Sequence, residues 1–373
     1  MSNTGPESTV PRAASGGGGA GLRPAGADAG EGRASDVARI LDDIRARGDA
    51  ALREWALRLD GAEPRWAEPE GGIPEKAVLA LAAAVQRWHA LQRPTDLRLE
   101  IAPGVELERR WVPLRSVGIY VPRGLVSTLV MCAVPAQVAG VERIVIATPP
   151  AGAGAVAAAA RLLGLEEVWA LGGPPAIAAF AFGTESIPRV DKIVGPGNAY
   201  VNEAKLLVSR EVAIDLPGGP SEVVVLAGDG ADERIAGLEL AAQAEHGPDS
   251  VCRAVEANGD LERALAEVEA LAPEHVVLLG EDAEALADRV QNAGAVFVGP
   301  WSAVAAGDYA TGANHVLPTG GWARAVGGLG LETFLKPVTV QRLTADGLAH
   351  LRPTVEALAA LEGMPAHAEA VRR

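Results

Sequence analysis

The chain has 373 residues, with 48 Asp and Glu against 33 Lys and Arg, for a formal net charge of −15. This length supports an ample core without staples, and the acidic balance argues against a nucleic-acid partner or an anionic membrane surface. Two cysteines, Cys132 and Cys252, both in apolar contexts, cannot form a disulfide framework, and no uncharged apolar run reaches membrane-spanning length, so a soluble, cytoplasmic protein is expected.

In chain order, residues 1–35 are rich in Gly, Ala, Pro and Ser, show no hydrophobic periodicity, and read as a disordered tail. Asp36 is placed to cap a helix carrying Val37, Ile40, Leu41 and Ile44 at helical spacing. A second helix is expected over 50–59. A third, over 74–92, presents Val78, Leu79, Leu81, Val85 and Trp88, with His89 in a surface or packing role. Residues 97–112 alternate around Pro103-Gly104 as a hairpin would. From residue 116, short β-branched strands (117–121, 143–147, 167–171, 192–194, 222–226) alternate with Ala-rich helices. This rhythm implies a mostly parallel sheet covered on both faces. After a helix over 231–244 it resumes with strands 251–255, 275–279 and 295–298, giving a second α/β layer. The tail from Lys336 holds helices over 343–362, too few residues for a core of their own, so it should dock elsewhere, for instance on a second subunit.

Several motifs carry candidate chemistry. Gly152-x-Gly154-x-x-Ala157 superficially fits a dinucleotide fingerprint, but Glu166-Glu167 open the next strand instead of closing it. Gly195-Pro196-Gly197-Asn198 joins a strand to a helix that Asn198 suits as cap; it is either an anion-binding helix start or an ordinary tight turn. Ser221 closes the rigid Pro217-Gly218-Gly219-Pro220 loop. Gln243 and His246 share one face of a last helical turn before Gly247-Pro248, as half of a metal site or as a helix end stabilised by its dipole. Glu274 beside His275 offers an acid to activate water and an imidazole to move a proton, or a surface acid beside a buried ring. Asp308 and Asn314-His315 lie in a Gly- and Thr-dense segment, and His367 follows Glu362 near the C-terminus. Three of only six histidines have a carboxylate or amide as neighbour. With Gln243 and Asp308, a Gln/Asp/His/His set would be a mixed N/O site for zinc or a similar divalent metal.

Six stretches, in order, resemble the histidinol dehydrogenase family: Val117-Gly118-Ile119-Tyr120-Val121-Pro122, residues 192–199, residues 215–222, Gln243-Ala244-Glu245-His246-Gly247-Pro248-Asp249, Pro273-Glu274-His275 and residues 306–319. The resemblance covers the chain from about Asp36 to its end. It implies a homodimer that oxidises L-histidinol to L-histidine through the aldehyde, using NAD twice, with one zinc per site. It also implies zinc on Gln243, His246, Asp308 and His367, and substrate held by Ser221, His315 and Glu362 together with those ligands and His275. Glu362 and His367 would come from the other subunit. His275 would be the base, Glu274 the activator of water, and Tyr120 and Asn198 would lie along NAD. Three features depart from the family: Pro174-Pro175 replaces an Ala-Gln pair whose Gln contacts NAD, Arg123 replaces a glycine before a shortened loop, and the interval 250–274 lacks a helix-strand unit.

The expected fold is therefore α/β, with two Rossmann-like parallel-sheet layers, N-terminal helices and a short C-terminal dimerisation arm. Its parts are 1–35 (tail), 36–115 (helices and hairpin, packing with the second α/β domain), 116–222 (first α/β domain), 223–335 (second, with the metal and catalytic residues) and 336–373 (arm). The rivals are a zinc and NAD dehydrogenase for another small polar alcohol and a non-catalytic paralogue.

Overall fold

The computed structural model describes backbone from Ala27 and side chains from residue 32; the expected tail over 1–26 lies outside the described residues. Helix α1 (Ala27–Arg47) begins before the expected cap at Asp36, so residues 27–35 are helical. It is followed by α2 (Asp49–Asp60), the two-residue strand β1 (Arg65–Trp66) and α3 (Glu75–Ala90). The buried stripe of α3 is Val78, Leu81, Val85 and His89. Leu79 and Trp88, expected on that face, are exposed, because each lies about 100° around the helix from a stripe residue. β2 (Leu97–Ala102) and β3 (Val105–Pro113) form the expected hairpin.

The first α/β layer follows: β4 (Ser116–Tyr120), α4 (Val126–Ala139), β5 (Arg143–Thr148), α5 (Ala153–Leu162), β6 (Val168–Ala170), α6 (Gly173–Phe182), β7 (Lys192–Val194), α7 (Ala199–Val208) and β8 (Ala213–Ile214). The sheet order is β1-β6-β5-β4-β7-β8, parallel except for β1 at one edge. One face carries α3, α4 and α5, and the other α1, α2, α6 and α7. Gly118 in the central strand has a packing reason: a Cβ there would lie 2.7 Å from the ring of Phe180. The N-terminal helices were expected against the second α/β domain. α1 and α2 sit on the first instead, where Val37, Ile40, Ile44 and Trp55 share a core with Ile177 and Phe180, whereas α3, packed on α4, also reaches residues 312–331, with His89 Nε2 3.4 Å from Asn314 Nδ2.

The second layer comprises β9 (Glu222–Ala227), α8 (Glu233–Ala244), β10 (Val251–Glu256), α9 (Leu261–Leu271), β11 (His275–Leu279), α10 (Ala283–Ala287), β12 (Ala295–Val298) and α11 (Val304–Tyr309). Its four strands run parallel in the order β10-β9-β11-β12. The period-two alternation of a strand sorts the side chains: Val224, Leu226, Val276 and Leu278 face α9 and α10, whereas Val223, Val225, Val277 and Leu279 face α8 and α11. Both faces are thus covered by helices of the second layer itself. β10 is an edge strand, and this explains why Cys252, expected in an apolar setting, is exposed; Cys132 on α4 is buried.

The segment from 336 departs from expectation. Leu335–Leu343 is a strand, β13, antiparallel to β3 in a three-stranded sheet, β13-β3-β2. Pro337 is tolerated because β13 is an edge. Helix α12 (Ala345–Leu361) then starts at Thr344, whose hydroxyl accepts the Gly347 N–H at 3.1 Å, and α13 (Pro365–Ala370) follows. No helix among the described residues is long and apolar enough to cross a membrane.

Candidate active site

The candidate residues collect where the carboxyl edge of the first sheet meets the amino edge of the second. Tyr120 ends β4 and Gly195 follows β7, whereas Glu222 and His275 open β9 and β11. Helix α8 leaves the far end of β9 and returns, so Gln243 and His246 come back to the same edge. The two layers touch through Thr128 on α4, whose hydroxyl lies 3.4 Å from His315 Nε2.

Glu274 and His275 were expected to face opposite ways. Both turn inward because Glu274 lies just outside β11. Ala272 closes α9 in the left-handed region (φ 47°) before Pro273, a conformation that costs a non-glycine residue on the order of 1–2 kcal/mol. Ser221 donates its hydroxyl to Glu274 Oε2 at 2.6 Å, and the Glu222 N–H donates to the same oxygen at 2.9 Å. Burial nevertheless dominates and raises the Glu274 carboxyl from 4.5 to about 7, against those hydrogen bonds and with help from the charges of Glu222 and Asp308. His275 Nδ1 lies 3.0 Å from the Glu222 carbonyl. A carbonyl only accepts, so Nδ1 carries the proton and Nε2 keeps a lone pair. Burial holds the imidazole below its usual value, opposed by the Asp308 charge, which favours the neutral base at working pH.

Glu222 organises this pair, and the sequence reading passed over it as the start of a strand. Its N–H binds the Glu274 carboxylate, its carbonyl binds the His275 ring, and its own carboxylate accepts the N–H groups of Glu274 (3.3 Å) and Gly320 (3.0 Å). Its advance signals were its place after Ser221 and at the end of the 215–222 stretch.

A second cluster surrounds the pair. Gln243 is buried and its Nε2 has no partner, while His246 is exposed. Asp308, on the last turn of α11, is raised by burial, opposed by the neighbouring His275 and His246. His315 donates from Nδ1 to the Asp308 carbonyl at 3.1 Å, and burial lowers it to about 4, so its ring is neutral at ordinary pH. The amide oxygen of Gln243, the His246 imidazole and the Asp308 carboxylate are residue types that make a mixed N/O donor set for zinc. Among the described residues one chain gathers no group of three or more His, Cys, Asp or Glu suited to a metal.

At the first sheet's edge, Gly195 (φ 107°) approaches β4 so closely that a Cβ would lie 2.1 Å from the Tyr120 carbonyl oxygen. The Asn198 side chain accepts the N–H groups of Tyr200 (3.0 Å) and Val201 (3.1 Å), capping α7 as expected. The buried pair Lys205–Asp215 (2.5 Å) clamps this loop: Lys205 Nζ donates to the Gly195 carbonyl at 2.8 Å, and the Gly195 N–H donates to Asp215 Oδ2 at 2.7 Å. Removing one partner of a buried ion pair costs about 3–5 kcal/mol. Asp215→Ala should therefore lose about that much stability in a denaturant melt; a loss below about 1 kcal/mol, the worth of a surface pair, would refute the clamp. Tyr120 is 3% exposed and its hydroxyl accepts the Gly173 N–H at 3.1 Å, so it supports the Gly172–Pro175 turn from beneath.

The histidinol dehydrogenase family model matches residues 26–261 and 254–373. The chain belongs to the histidinol dehydrogenase family. It is 41% identical to a histidinol dehydrogenase of Pectobacterium atrosepticum, covering 90% of this chain and 88% of that protein. It is 40% identical to that of Escherichia coli K12, covering 94% and 93%. The crystal structure of histidinol dehydrogenase from Elizabethkingia anophelis matches with a TM-score of 0.82 at 33% identity, covering 90% of each chain. As a histidinol dehydrogenase family member the chain is an NAD-dependent oxidoreductase.

The departures from the family can be placed. Pro174 and Pro175 are buried in the first turn of α6, where a missing N–H costs little, and no side-chain amide stands there. Arg123 is exposed, and its charge acts on Asp60 at the same edge. The two segments of the family match overlap between β10 and α9, within the shortened interval. Glu362 and His367, assigned to the site by resemblance, are both exposed on the C-terminal arm. That arm packs on β13, and neither side chain bonds to the cleft residues among the described residues.

Proposed function

We propose that this chain oxidises L-histidinol to L-histidine through histidinal, two NADH being formed per substrate. The observation that carries this is the arrangement of Ser221, Glu274, Glu222 and His275 at one edge, with His246, Asp308 and His315 around them. NAD, when bound, supplies the hydride acceptor for both steps. His275 Nε2 takes the hydroxyl proton of the alcohol, and later that of the hydrated aldehyde. Glu274, at about 7, takes a proton from the water that adds to the aldehyde. Ser221 orients that carboxylate and, with His315, faces the substrate. Asn198 and the loop that Tyr120 underlies would border the dinucleotide. The assay is NADH formation with L-histidinol and zinc-supplemented protein. Folded, metal-loaded protein that leaves histidinol untouched would overturn the proposal in favour of another small polar alcohol or a silent paralogue.

Zinc is the metal this reading assigns, held by Gln243, His246 and Asp308 of one chain and the partner subunit's His367. It would supply a fixed positive charge for the amino and imidazole nitrogens of the substrate. One observation supports a shared site: Glu362 and His367 are exposed on the arm, and among the described residues neither side chain bonds to the cleft of its own chain. His367→Ala should therefore weaken zinc binding by at least about 10-fold, the scale of losing even an outer-shell contact, as measured against a competing chelator. Unchanged affinity, or an active monomer, would refute the shared arrangement. The reaction belongs in the cytoplasm on this reading.

A further inference from the structure

Helix α8 buries polar side chains beside the apolar ones that pack on the sheet. Ile235, Ala236 and Leu240 pack on the sheet at partial burial, yet its two buried residues are the polar Glu239 and Gln243, while Leu238 is 56% exposed. Residues 239, 243 and 246 fall on one face, four and three residues apart. Buried polar residues on one face of such a helix mark a functional constraint. Gln243 and His246 are accounted for by the metal reading, and Glu239 is not.

Glu239 is 9% exposed, and its Oε2 accepts the N–H of Val304 at 3.1 Å. Val304 is the first residue of α11, a six-residue helix whose own cap residue, Ala303, supplies no side-chain hydrogen bond. Asp308 stands four residues on, one turn along the same face. The carboxylate of Glu239 thus fastens the start of the helix whose end presents Asp308, and does so from the helix that presents Gln243 and His246. Its charge also acts on the His275 ring.

We propose that Glu239 is a positioning residue that locks the α11 half of the metal site to the α8 half through the Val304 N–H. The inference rests on the assignment of Gln243, His246 and Asp308 as metal donors. Groups that fix first-shell ligands typically govern metal affinity by 10–100-fold.

The test is zinc affinity of the full-length apoprotein, by competition with a chromophoric chelator, alongside a thermal melt. Glu239→Ala should bind zinc about 10–100-fold more weakly. Glu239→Gln, which keeps an oxygen acceptor for Val304, should bind nearly as tightly as the parent. A purely structural role would lower the melting temperature of Glu239→Ala and leave the affinity of the folded protein alone. Parent-like affinity in Glu239→Ala overturns the proposal, and so does equal weakening in both variants. If Glu239→Ala fails to fold, Val304→Pro removes the donor instead, at a first helical position where proline is tolerated, and should weaken zinc as Glu239→Ala was to; parent-like affinity there overturns the proposal. Asp308→Ala separates the two levels. If it binds zinc as tightly as the parent, the metal assignment itself fails; if it loses zinc while Glu239→Ala does not, only the role of Glu239 fails.

Discussion

Glu274→Gln is expected to leave the first oxidation running and to slow the second by about 10²–10⁴-fold, the usual contribution of a positioned acid or base. The amide can still accept from Ser221 and from the Glu222 N–H, which now bind Glu274 Oε2, so the site keeps its shape. It cannot take a proton from water. Histidinol should then yield about one NADH quickly, with aldehyde accumulating, in place of two. In the parent, aldehyde oxidation should rise with pH through about 7, where the Glu274 carboxyl ionises, and the variant should lose that limb. Two NADH per histidinol at the parental rate would remove Glu274 from the chemistry.

The same residue makes a stability prediction of opposite sign. The folded-state value of Glu274 is raised from 4.5 to about 7 because burial disfavours its charge. A raised value stabilises the fold fully only below about 4.5, and that stabilisation is lost as pH climbs to about 7. The rise corresponds to roughly 3 kcal/mol. Glu274→Gln carries no charge to bury, so it should melt higher than the parent at pH 8 and differ little at pH 4. A variant less stable than the parent at both pH values would show that hydrogen bonding at this position outweighs burial.

His275→Ala should slow both oxidations by about 10²–10⁴-fold with little change in the KM for histidinol. Both steps draw on one lone pair. The Glu222 carbonyl holds the Nδ1 proton at 3.0 Å, leaving Nε2 as the acceptor, and burial keeps the ring neutral. Zinc affinity should stay close to parental, because His275 is not among the assigned ligands. Single-turnover measurements starting from alcohol and from aldehyde distinguish the steps; loss of only one would show that a second base serves the other.

Much of the fold was legible in the sequence wherever a local pattern sufficed. The strands His275–Leu279 and Ala295–Val298 and the helix Leu261–Leu271 stand where β-branched runs and 3.6-residue spacing put them. Asn198 caps α7 as its loop chemistry implies. β13 was not legible, because Lys336-Pro337 breaks its pattern and its partner β3 lies far away in sequence. Nor was the seat of the N-terminal helices, since an apolar stripe says that a helix packs and not on which sheet.

The sequence by itself determined the residue types of the candidate site: Gln243, His246, Glu274-His275, Asp308 and His315, each in a recognisable motif. Only the tertiary structure decided what surrounds them. Burial lifts Glu274 to about 7 and depresses His315 to about 4, and burial is a property of everything packed around a group. Glu222 and Glu239 became visible for the same reason. Their hydrogen bonds span elements distant in the chain, from β9 to the residues that open β11 and from α8 to α11, and no spacing rule along one segment encodes a bond between two.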